Sequence, residues 1–436
     1  MSQDSVEDEI LEVTEDLVRF QTYHAGFPDF DDRSEVEAAF DYVEDYFSDG
    51  DFVVNRYGED PDQFEGEAFE DHAFDVYGSP KPSMVVSFED TKEPEIMLHG
   101  HLDVVQPNEG NYPAEARDID PEQNLQEHLD AHFDPLYEDG RMYGRGTADM
   151  KAGVASLMKA MKDAEEKGEN PSAALMLTSD EELGGFRGAG YLFHDIGYDP
   201  DFMISAEPNT TDKPQTINYR QKGVFHLGIE ADGTSAHGAR PWNGENAADK
   251  LMEHADEYQE IRQLFEDPEG GDNWTTTMNL GVIDAGEKRT QVPDSAVMEL
   301  DMRYTDDYRP EDIIQDVANV FGVDATGVEE PSEVAEIMSE EVDDLDFQVI
   351  NNAPMQLNER DNEYIQHLVD IVEEETGETP EFTRKEGASD ARFPTVKGSP
   401  GITFGPRGKN LHGPDENVEV ESLEPYYRSI RQLLSE

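Results

Sequence analysis

The sequence predicts an α/β protein in which a mostly parallel-sheet domain is interrupted by a ferredoxin-like β-α-β-β-α-β domain. Apolar runs typical of strands alternate with amphipathic helices from residue 82 onward, and such alternation favours a largely parallel sheet. From about residue 221 the order becomes strand, helix, strand, strand, helix, strand, which is the split ferredoxin-like unit. We therefore expect a first domain built from residues 1–220 and 353–436, with a second domain of residues 221–352 inserted between its two parts.

The individual elements follow from the period of the apolar residues. In residues 6–21, Ile10, Val13 and Leu17 recur at helical spacing, whereas short apolar runs such as PSMVVSF indicate buried strands. Residues 50–80 and the acid-rich stretch 325–344 are expected to be irregular surface segments. The remaining predicted elements are helices at 34–48, 150–166, 246–266, 310–321, 361–375 and 421–434, and strands at 83–88, 95–105, 173–179, 201–206, 224–231, 275–285, 295–304, 346–351 and 400–404.

The charge of the chain limits its possible partners. It carries 102 Asp and Glu against 32 Lys and Arg, a formal net charge of −70. Nucleic acid and anionic membranes would be repelled, so non-specific binding to either is excluded as a role. The acidic residues are spread along the whole chain, a pattern that indicates a halophilic source, because concentrated salt screens such repulsion.

The cellular environment is also indicated by what the sequence lacks. There is no cysteine, which excludes disulfides, cysteine–zinc sites and thiol nucleophiles. The N-terminus, MSQDSVEDEI, is acidic where a signal peptide would be basic and then apolar. No apolar run approaches the ~20 residues that cross a bilayer. We therefore expect a cytoplasmic protein.

The segment HGHLDVV (99–105) places a histidine and a carboxylate at the end of a predicted strand. His101 and Asp103 are two residues apart, so in a strand they face the same way. A carboxylate beside an imidazole can hold it in the tautomer and orientation that metal binding needs. The alternative is a histidine that is simply hydrogen-bonded at a strand end.

The segment GRGTADMKAG (144–153) places Asp149 at the predicted start of the helix at 150–166. A carboxylate in a glycine-containing loop is a candidate metal ligand. Aspartate is also among the best N-cap residues, so a purely structural capping role remains open.

The segment TSDEELGG (178–185) follows the apolar strand AALMLT and carries Glu181 and Glu182. In open α/β sheets, ligands bind at the carboxyl ends of the strands. Neighbouring residues of an extended segment point to opposite sides, so one glutamate can hold a metal while the other faces a substrate. The other Glu–Glu pairs of the chain have no such strand before them.

Two further segments complete a candidate metal site. ISAEPN (204–209) puts Glu207 after a predicted strand, and NLHGPDE (410–416) puts His412 in a loop after the strand at 400–404. Two histidines and three carboxylates suit two divalent metal ions, for which zinc is the commonest match.

The order and approximate spacing of these five segments resemble the dinuclear-zinc amidohydrolase family, which includes acetylornithine deacetylase, succinyl-diaminopimelate desuccinylase, the aminoacylases and related zinc carboxypeptidases. The similarity covers most of the chain and fades at 50–80, 107–131 and 325–345, where the sequence looks inserted or diverged. The resemblance implies two divalent ions, zinc in the first place, with cobalt or manganese as alternatives.

The resemblance also implies a role for each candidate residue. Asp149 would bridge the two metals. One metal would be held by His101 and Glu207, and the other by Glu182 and His412. Asp103 would orient His101. Glu181 would be the general base that takes a proton from a metal-bridged water and returns it to the leaving amine.

The inserted domain would act as a lid and dimerisation domain in this family. The resemblance implies substrate contacts from His237, Asn279, Arg303 and Ser389. His237 reaches the partner subunit's active site in relatives, which implies a homodimer formed through the inserted domain. Without the resemblance, His237 is better interpreted as a surface-loop residue, and pairing of Arg303 with a local acid remains equally open.

The expected activity is hydrolysis of the amide bond of an N-acyl amino acid, as in acetylornithine deacetylase or succinyl-diaminopimelate desuccinylase. Glu207 favours this deacylase branch over dipeptidases, which tend to use Asp at that position. The alternatives are a carboxypeptidase, dipeptidase or aminoacylase that acts on short peptides or related amides. A non-catalytic protein that binds metal or an amino acid is the competing class, and the presence of Glu181 and all five ligands argues against it.

Overall fold

The computed structural model describes residues 5–23, 33–58, 81–107, 130–265 and 274–435. The expectations for nearly all of residues 107–131 and for most of 50–80 lie outside the described residues. The strands are β1 (Val53–Tyr57), β2 (Ser83–Ser87), β3 (Ile96–His101), β4 (Leu136–Glu138), β5 (Arg141–Tyr143), β6 (Ala173–Thr178), β7 (Phe202–Ser205), β8 (Thr216–Gln221), β9 (Gly223–Asp232), β10 (Ala236–His237), β11 (Thr277–Ala285), β12 (Gln291–Val292), β13 (Ser295–Tyr304), β14 (Asp346–Ala353), β15 (Gln356–Leu357), β16 (Glu381–Lys385), β17 (Gly401–Thr403), β18 (Gly408–Lys409) and β19 (Asn417–Glu419). The α-helices are α1 (Val6–Arg19), α2 (Arg33–Phe47), α3 (Ala152–Glu166), α4 (Ala247–Glu253), α5 (Ala255–Leu264), α6 (Pro310–Val320), α7 (Pro331–Glu341), α8 (Glu363–Thr376), α9 (Phe393–Lys397) and α10 (Leu423–Leu433).

The large sheet is mixed, with a parallel centre. Its strands follow the order β1-β2-β6-β3-β7-β17-β8-β15, and β16 pairs with β8. The neighbours β6, β3, β7 and β17 run parallel, whereas β1 and β2 add to one side in antiparallel fashion. The predicted α/β class is confirmed, and the parallel arrangement describes the central strands. These central strands bring the carboxyl ends of β3, β6 and β7 to one edge, which is where ligands bind in sheets of this kind.

Apolar faces of the helices hold this sheet together. Ile10 and Leu17 of α1 are fully buried, as the predicted helical spacing requires. The same core contains Val154 and Leu157 of α3 and Ile430 of α10. Burial of each large apolar side chain contributes on the order of 1.5–3 kcal/mol relative to exposure. The helices therefore fix the strand ends from which the candidate site is built.

Residues 223–353 form a second sheet with a core of its own. Strands β11, β13, β9 and β14 lie in that order and are all antiparallel, which is the ferredoxin-like strand order. Phe225 and Leu300 from the sheet pack with Ile313 of α6 in this core. The helix predicted at 246–266 is instead two helices, because the chain leaves helical geometry at His254 (φ −98°, ψ 21°).

Three further predictions of local structure were wrong. The acid-rich stretch 325–344 is not a loop throughout, because it contains α7, whose Val334 and Met338 lie one turn apart and are fully buried. Strand β1 occupies part of the segment predicted to be irregular, where its half-buried Val-Val-Asn-Arg-Tyr pairs with β2. Helix α3 begins at Ala152, not at residue 150.

Among the described helices, none combines the length and apolar character that crossing a bilayer would require.

Candidate metal centre

The ends of three parallel strands bring the predicted metal ligands together. His101 is the last residue of β3, Glu181 and Glu182 lie in the short helical turn after β6, and Glu207 follows β7 by two residues. Asp149 comes from the turn before α3, and His412 from the loop between β18 and β19. Segments that are far apart in the sequence thus converge on one edge of the sheet.

Asp149 lies between the two histidines. Its Oδ1 is 3.1 Å from Nε2 of His101, and its Oδ2 is 3.3 Å from Nε2 of His412. His412 Nε2 is also 3.2 Å from Oε2 of Glu182. On the other side, His101 Nε2 lies 3.9 Å from one carboxylate oxygen each of Glu181 and Glu207. One carboxylate therefore faces two groups of ligands.

The donor atoms are close enough to share cations. Ligand atoms of His101, Asp149 and Glu182 all lie within 4.8 Å of one another, and so do those of His101, Glu181 and Glu207. Histidine nitrogen with carboxylate oxygen is a donor set that suits zinc and similar divalent ions. The buried Oε1 of Glu182 has no hydrogen-bond partner among the described residues. The residues present therefore fit a divalent-metal site.

Burial and mutual repulsion perturb the carboxylates of this centre. Burial, with repulsion from Glu207, raises the pKa of Glu181 well above its ordinary value. Burial, with repulsion from Asp149, raises the pKa of Glu207 to about 7. Burial also acts to raise the pKa of Asp149, but His101 and His412 outweigh it and hold that pKa low. Such an excess of buried negative charge is what bound cations would compensate.

Asp103 connects the histidine of one strand to the glutamates of the next. His101 Nδ1 is 2.9 Å from the backbone oxygen of Asp103 and 3.6 Å from its Oδ1. The two Asp103 carboxylate oxygens accept hydrogen bonds from the backbone amides of Glu181 and Glu182. Strand β3 ends at His101, so a turn, and not the predicted strand alternation, brings Asp103 beside the imidazole.

The capping role considered for Asp149 is excluded. The N-cap residue of α3 is Lys151, and Asp149 has non-helical angles (φ −119°, ψ 88°) in the preceding turn. Its side chain faces the two histidines, while its backbone amide donates to Oε1 of Glu416 at 3.0 Å. Glu416 was missed as a site residue by the sequence reasoning, although it lies inside the motif that contains His412.

The four residues expected to bind substrate make no direct bond to this cluster among the described residues. His237 is exposed on β10, where its Nδ1 accepts a hydrogen bond from Ala239 at 3.0 Å. Asn279 is exposed on β11. Arg303 donates to Asp301 at 2.7 Å, which is the pairing with a local acid that the sequence left open. Ser389 is buried, and its hydroxyl donates to Gln221 at 2.8 Å. No hydrogen bond or ion pair among the described residues joins these four side chains to the metal ligands.

Comparisons with known proteins agree with this geometry. A family model described as "Peptidase family M20/M25/M40" matches residues 97–436. The succinyl-diaminopimelate desuccinylase of a Nitratiruptor species is 26% identical over 343 residues, which cover 77% of this chain and 82% of the relative. The enzyme of the same name from Bordetella petrii is 29% identical over 357 residues, covering 78% and 83%.

Solved structures share the fold at low sequence identity. A tripeptidase from Staphylococcus aureus superposes with a TM-score of 0.65 at 18% identity, covering 98% of both chains. An M20 family metallo-carboxypeptidase from Sulfolobus solfataricus gives a TM-score of 0.64 at 15% identity, covering 98% of this chain and 99% of its own. At such identities the likeness concerns the architecture alone.

Proposed function

Because the chain belongs to peptidase family M20/M25/M40, we propose that it releases an amine from an N-acyl amino acid by hydrolysing the amide bond. The family is the one that the five sequence motifs resemble, and its members are metal-dependent hydrolases of amide C–N bonds. The substrate class is supported by the desuccinylase names of the relatives.

The position of Asp149 between His101 and His412 is the observation that carries the proposal. In our assignment, His101 and Glu207 would hold one divalent ion, Glu182 and His412 would hold the other, and Asp149 would contribute a carboxylate oxygen to each. The two histidines favour zinc, with cobalt or manganese as alternatives, over ions that prefer oxygen alone. Bound divalent ions would supply Lewis acidity to the substrate carbonyl and to the attacking water.

Glu181 is the proposed proton carrier. Its carboxylate lies beside the ligands, with Oε2 at 3.9 Å from His101 Nε2. Water attacks the amide carbon as Glu181 accepts its proton, and the C–N bond then breaks as Glu181 passes that proton to the departing amine. A carboxylate that is largely shielded from solvent suits both steps, because it can accept the proton and hold it until the amine leaves. Asp103 positions both Glu181 and His101 through the contacts described above.

Residues outside the metal cluster are proposed to recognise the substrate. We assign this role to His237, Asn279, Arg303 and Ser389. Arg303 would bind a substrate carboxylate with the guanidinium edge that Asp301 leaves available. Ser389 would need to share its hydroxyl between the substrate and Gln221.

A homodimer formed through the inserted segment is also proposed, with domains at 1–220, 221–352 and 353–436. The separate cores of residues 223–353 and of the large sheet support this division. Strand β11 is the edge of its sheet, and its Val282 and Ile283 are 42% and 63% exposed. An edge strand with exposed apolar side chains is a template for pairing with another chain. Such pairing would let His237 act in the partner's active site.

The charge of the chain supports function at high salt, and we propose a cytoplasmic location in a halophile. The net charge of −70 produces self-repulsion that concentrated salt would screen. We expect the protein to lose structure in dilute buffer. Full stability in dilute buffer would contradict the proposed adaptation to high salt.

An activity screen tests the proposed function. Purified protein in high salt with Zn²⁺ or Co²⁺ would be given N-succinyl-diaminopimelate, N-acetylornithine, other N-acyl amino acids and dipeptides. We expect the highest kcat/KM for an N-acyl amino acid. A preference for dipeptides would reassign the chain to the peptidase branch, and hydrolysis of none of these amides would reject the proposal.

A further inference from the structure

A buried ion pair joins two of the segments that carry metal ligands. Nη1 of Arg145 lies 2.6 Å from Oε2 of Glu416, and the two side chains are 1% and 2% exposed. The partners are 271 positions apart in the sequence. Arg145 belongs to the segment that contains Asp149, and Glu416 to the segment that contains His412. Neither side chain is among the ligands.

The same two side chains also bind the backbone of the ligands. Nη2 of Arg145 donates to the backbone oxygen of His412 at 3.1 Å. Oε1 of Glu416 accepts from the backbone amides of Ala148 and Asp149, at 3.1 and 3.0 Å. The pair thus fixes the main chain at the proposed bridging ligand and at one of the histidines.

The backbone of His412 requires such support. Its φ of 60° lies in the left-handed region, which non-glycine residues rarely adopt unless their surroundings hold them there. Its side chain is 54% exposed, so packing against neighbours restrains it little. The hydrogen bond from Arg145 to its carbonyl oxygen is a direct restraint on this conformation.

A buried ion pair is weak evidence for a role in stability. Removing two charges from water opposes folding, and well-packed apolar residues often stabilise a protein as much or more. An arginine–carboxylate pair can instead fix the orientation of the groups bonded to it, because the guanidinium group and the carboxylate each bind two partners at set angles. Here the additional partner of Arg145 is the backbone of His412, and those of Glu416 are the backbone amides of Asp149 and its neighbour Ala148.

We propose that Arg145 and Glu416 form a clamp that positions His412 and Asp149 for divalent-metal binding without touching the metal. This inference rests on the proposed metal-dependent function. Both residues act through others and are therefore positioning residues. Their loss should weaken metal binding even in a chain that remains folded.

The test separates metal binding from folding by removing both charges together. In the double variant Arg145→Met/Glu416→Gln, both members of the ion pair lose their charge, so neither is left without its partner, and the glutamine can still accept from the amides of Ala148 and Asp149. The bond to the His412 carbonyl is lost. We expect a melting temperature near that of the parent, and at least a ~10-fold weaker affinity for the more weakly bound Zn²⁺ or Co²⁺, as is typical when a partner that orients a ligand is removed. Equilibrium dialysis with metal analysis measures the affinity.

Arg141→Gln is the matched control. Arg141 lies on β5, near Arg145, and donates to Asn417 Oδ1 on β19 at 2.6 Å, so it joins the same two parts of the chain. Within the part of the chain that the structure describes, Arg141 makes no hydrogen bond to a proposed ligand. We expect Arg141→Gln to bind metal like the parent. An equal loss in this variant would mean general loosening of the strands and would overturn the clamp.

The remaining outcomes are also decisive. Parent-like metal affinity in a folded double variant would overturn the clamp, because the pair would then serve the fold alone. Arg145→Lys keeps the charge but loses the fork, and we expect it to fold with weakened metal binding. If neither variant folds, the pair is a stability element and the clamp is rejected. If the unmodified chain binds no divalent ion, the proposed function itself fails.

Discussion

The carboxylate of Asp103 accepts a hydrogen bond from the backbone amide of Glu182, at 3.1 Å from Oδ2. Its other oxygen accepts from the amide of Glu181 at 3.3 Å. The same side chain lies 3.6 Å from the imidazole of His101. One fully buried carboxylate therefore sets the orientation of a proposed ligand from β3 and the position of the glutamate pair after β6.

We predict that Asp103→Asn impairs metal binding and turnover together. Asparagine has one acceptor oxygen where aspartate has two, so one of the two glutamate amides loses its partner at a cost of about 1–3 kcal/mol. We expect metal affinity to fall about 10- to 100-fold, the usual effect of losing a group that orients a ligand. Titration with Co²⁺ gives the metal affinity, and kcat measurement gives the turnover.

Asp212→Asn, at an exposed acid, is the control. An Asp103→Asn protein with parent values would assign the orienting role elsewhere.

We predict that substitutions of the two neighbouring glutamates affect different properties, turnover for Glu181 and metal binding for Glu182. Glu181→Gln should keep both metal ions but lower kcat by about 10²–10⁴-fold, because only the proton carrier is lost. Glu182→Gln should weaken metal binding by more than the roughly 10- to 100-fold seen for groups that merely orient a ligand. The two variants differ by one position and are each other's control. Metal content and kcat measured on both decide the assignment, and near-parent turnover in Glu181→Gln would place the base elsewhere.

That the five candidate ligands would converge at one edge of the sheet could be predicted from sequence, because this depends on local signals. Glu182 and Glu207 follow apolar runs, and the carboxyl ends of parallel strands meet at one edge. The family drawn from the five motifs is confirmed by the family match. The assignment of roles to individual residues stays a prediction.

Features that depend on distant contacts could not be predicted in this way. The role inferred for Arg145 needs a carboxylate 271 positions away. The spacing of apolar residues along a short segment gives no information about such a contact. Asp149 resembled an N-cap because propensity does not show that the chain turns once more before α3 begins. Residues 325–344 were predicted to be irregular because they are rich in acidic residues. This composition outweighed the i, i+4 spacing of Val334 and Met338, which form the buried face of α7.

We predict that chelation abolishes hydrolysis and that Zn²⁺ or Co²⁺ restores it. The carboxylates of Glu181, Glu182 and Glu207 lie close together and are largely removed from solvent, and desolvation raises the pKa of each. Removing the cations leaves this charge uncompensated, so the melting temperature should fall as well. Mg²⁺ at the same concentration is the control, because it prefers oxygen ligands and should restore less activity. Sustained hydrolysis in metal-free protein contradicts the mechanism.

We predict that metal binding at pH 7 releases protons. Hydrogen bonds to Asp149 and Glu182 raise the pKa of His412 to about 10 in the metal-free site, so its imidazole is protonated at pH 7. Burial and repulsion raise the pKa of Glu207 to about 7, so this carboxyl group is partly protonated there. Ligands must lose these protons to bind a cation.

Calorimetry in two buffers of different ionisation enthalpy counts the released protons. Hydrogen bonds to Asp103 and Asp149 outweigh burial and raise the pKa of His101 as well, so we expect roughly two or more protons per chain at pH 7. The release should fall as the pH rises above 7, because Glu207 is then already ionised. His412→Ala should release about one proton fewer. Binding with no proton release at pH 7 would contradict the assignment of both groups as ligands.

The last prediction concerns whether His237 acts in the partner subunit. His237 is exposed on β10 and makes no hydrogen bond to a proposed ligand within the described residues. His237→Ala should therefore keep its metal content but lose turnover, while Glu181→Gln loses turnover through its own site. In a mixed dimer, the subunit with His237→Ala keeps Glu181 and would receive an intact His237 from its partner.

Random mixing of these two inactive variants should therefore restore activity. Half of the dimers would be mixed and each would contain one complete site, so about a quarter of the parent activity is expected for a two-fold symmetric dimer. Native mass spectrometry would establish that mixed dimers form, and kcat of the mixture gives the result. Mixing Glu181→Gln with Glu182→Gln is the control, because both defects lie in the metal cluster of one chain and no subunit of that mixture has a complete cluster. Mixed dimers without activity would place His237 in its own subunit's site or outside catalysis. Recovery would require that each active site be completed by the neighbouring chain, so hydrolysis would depend on the dimer.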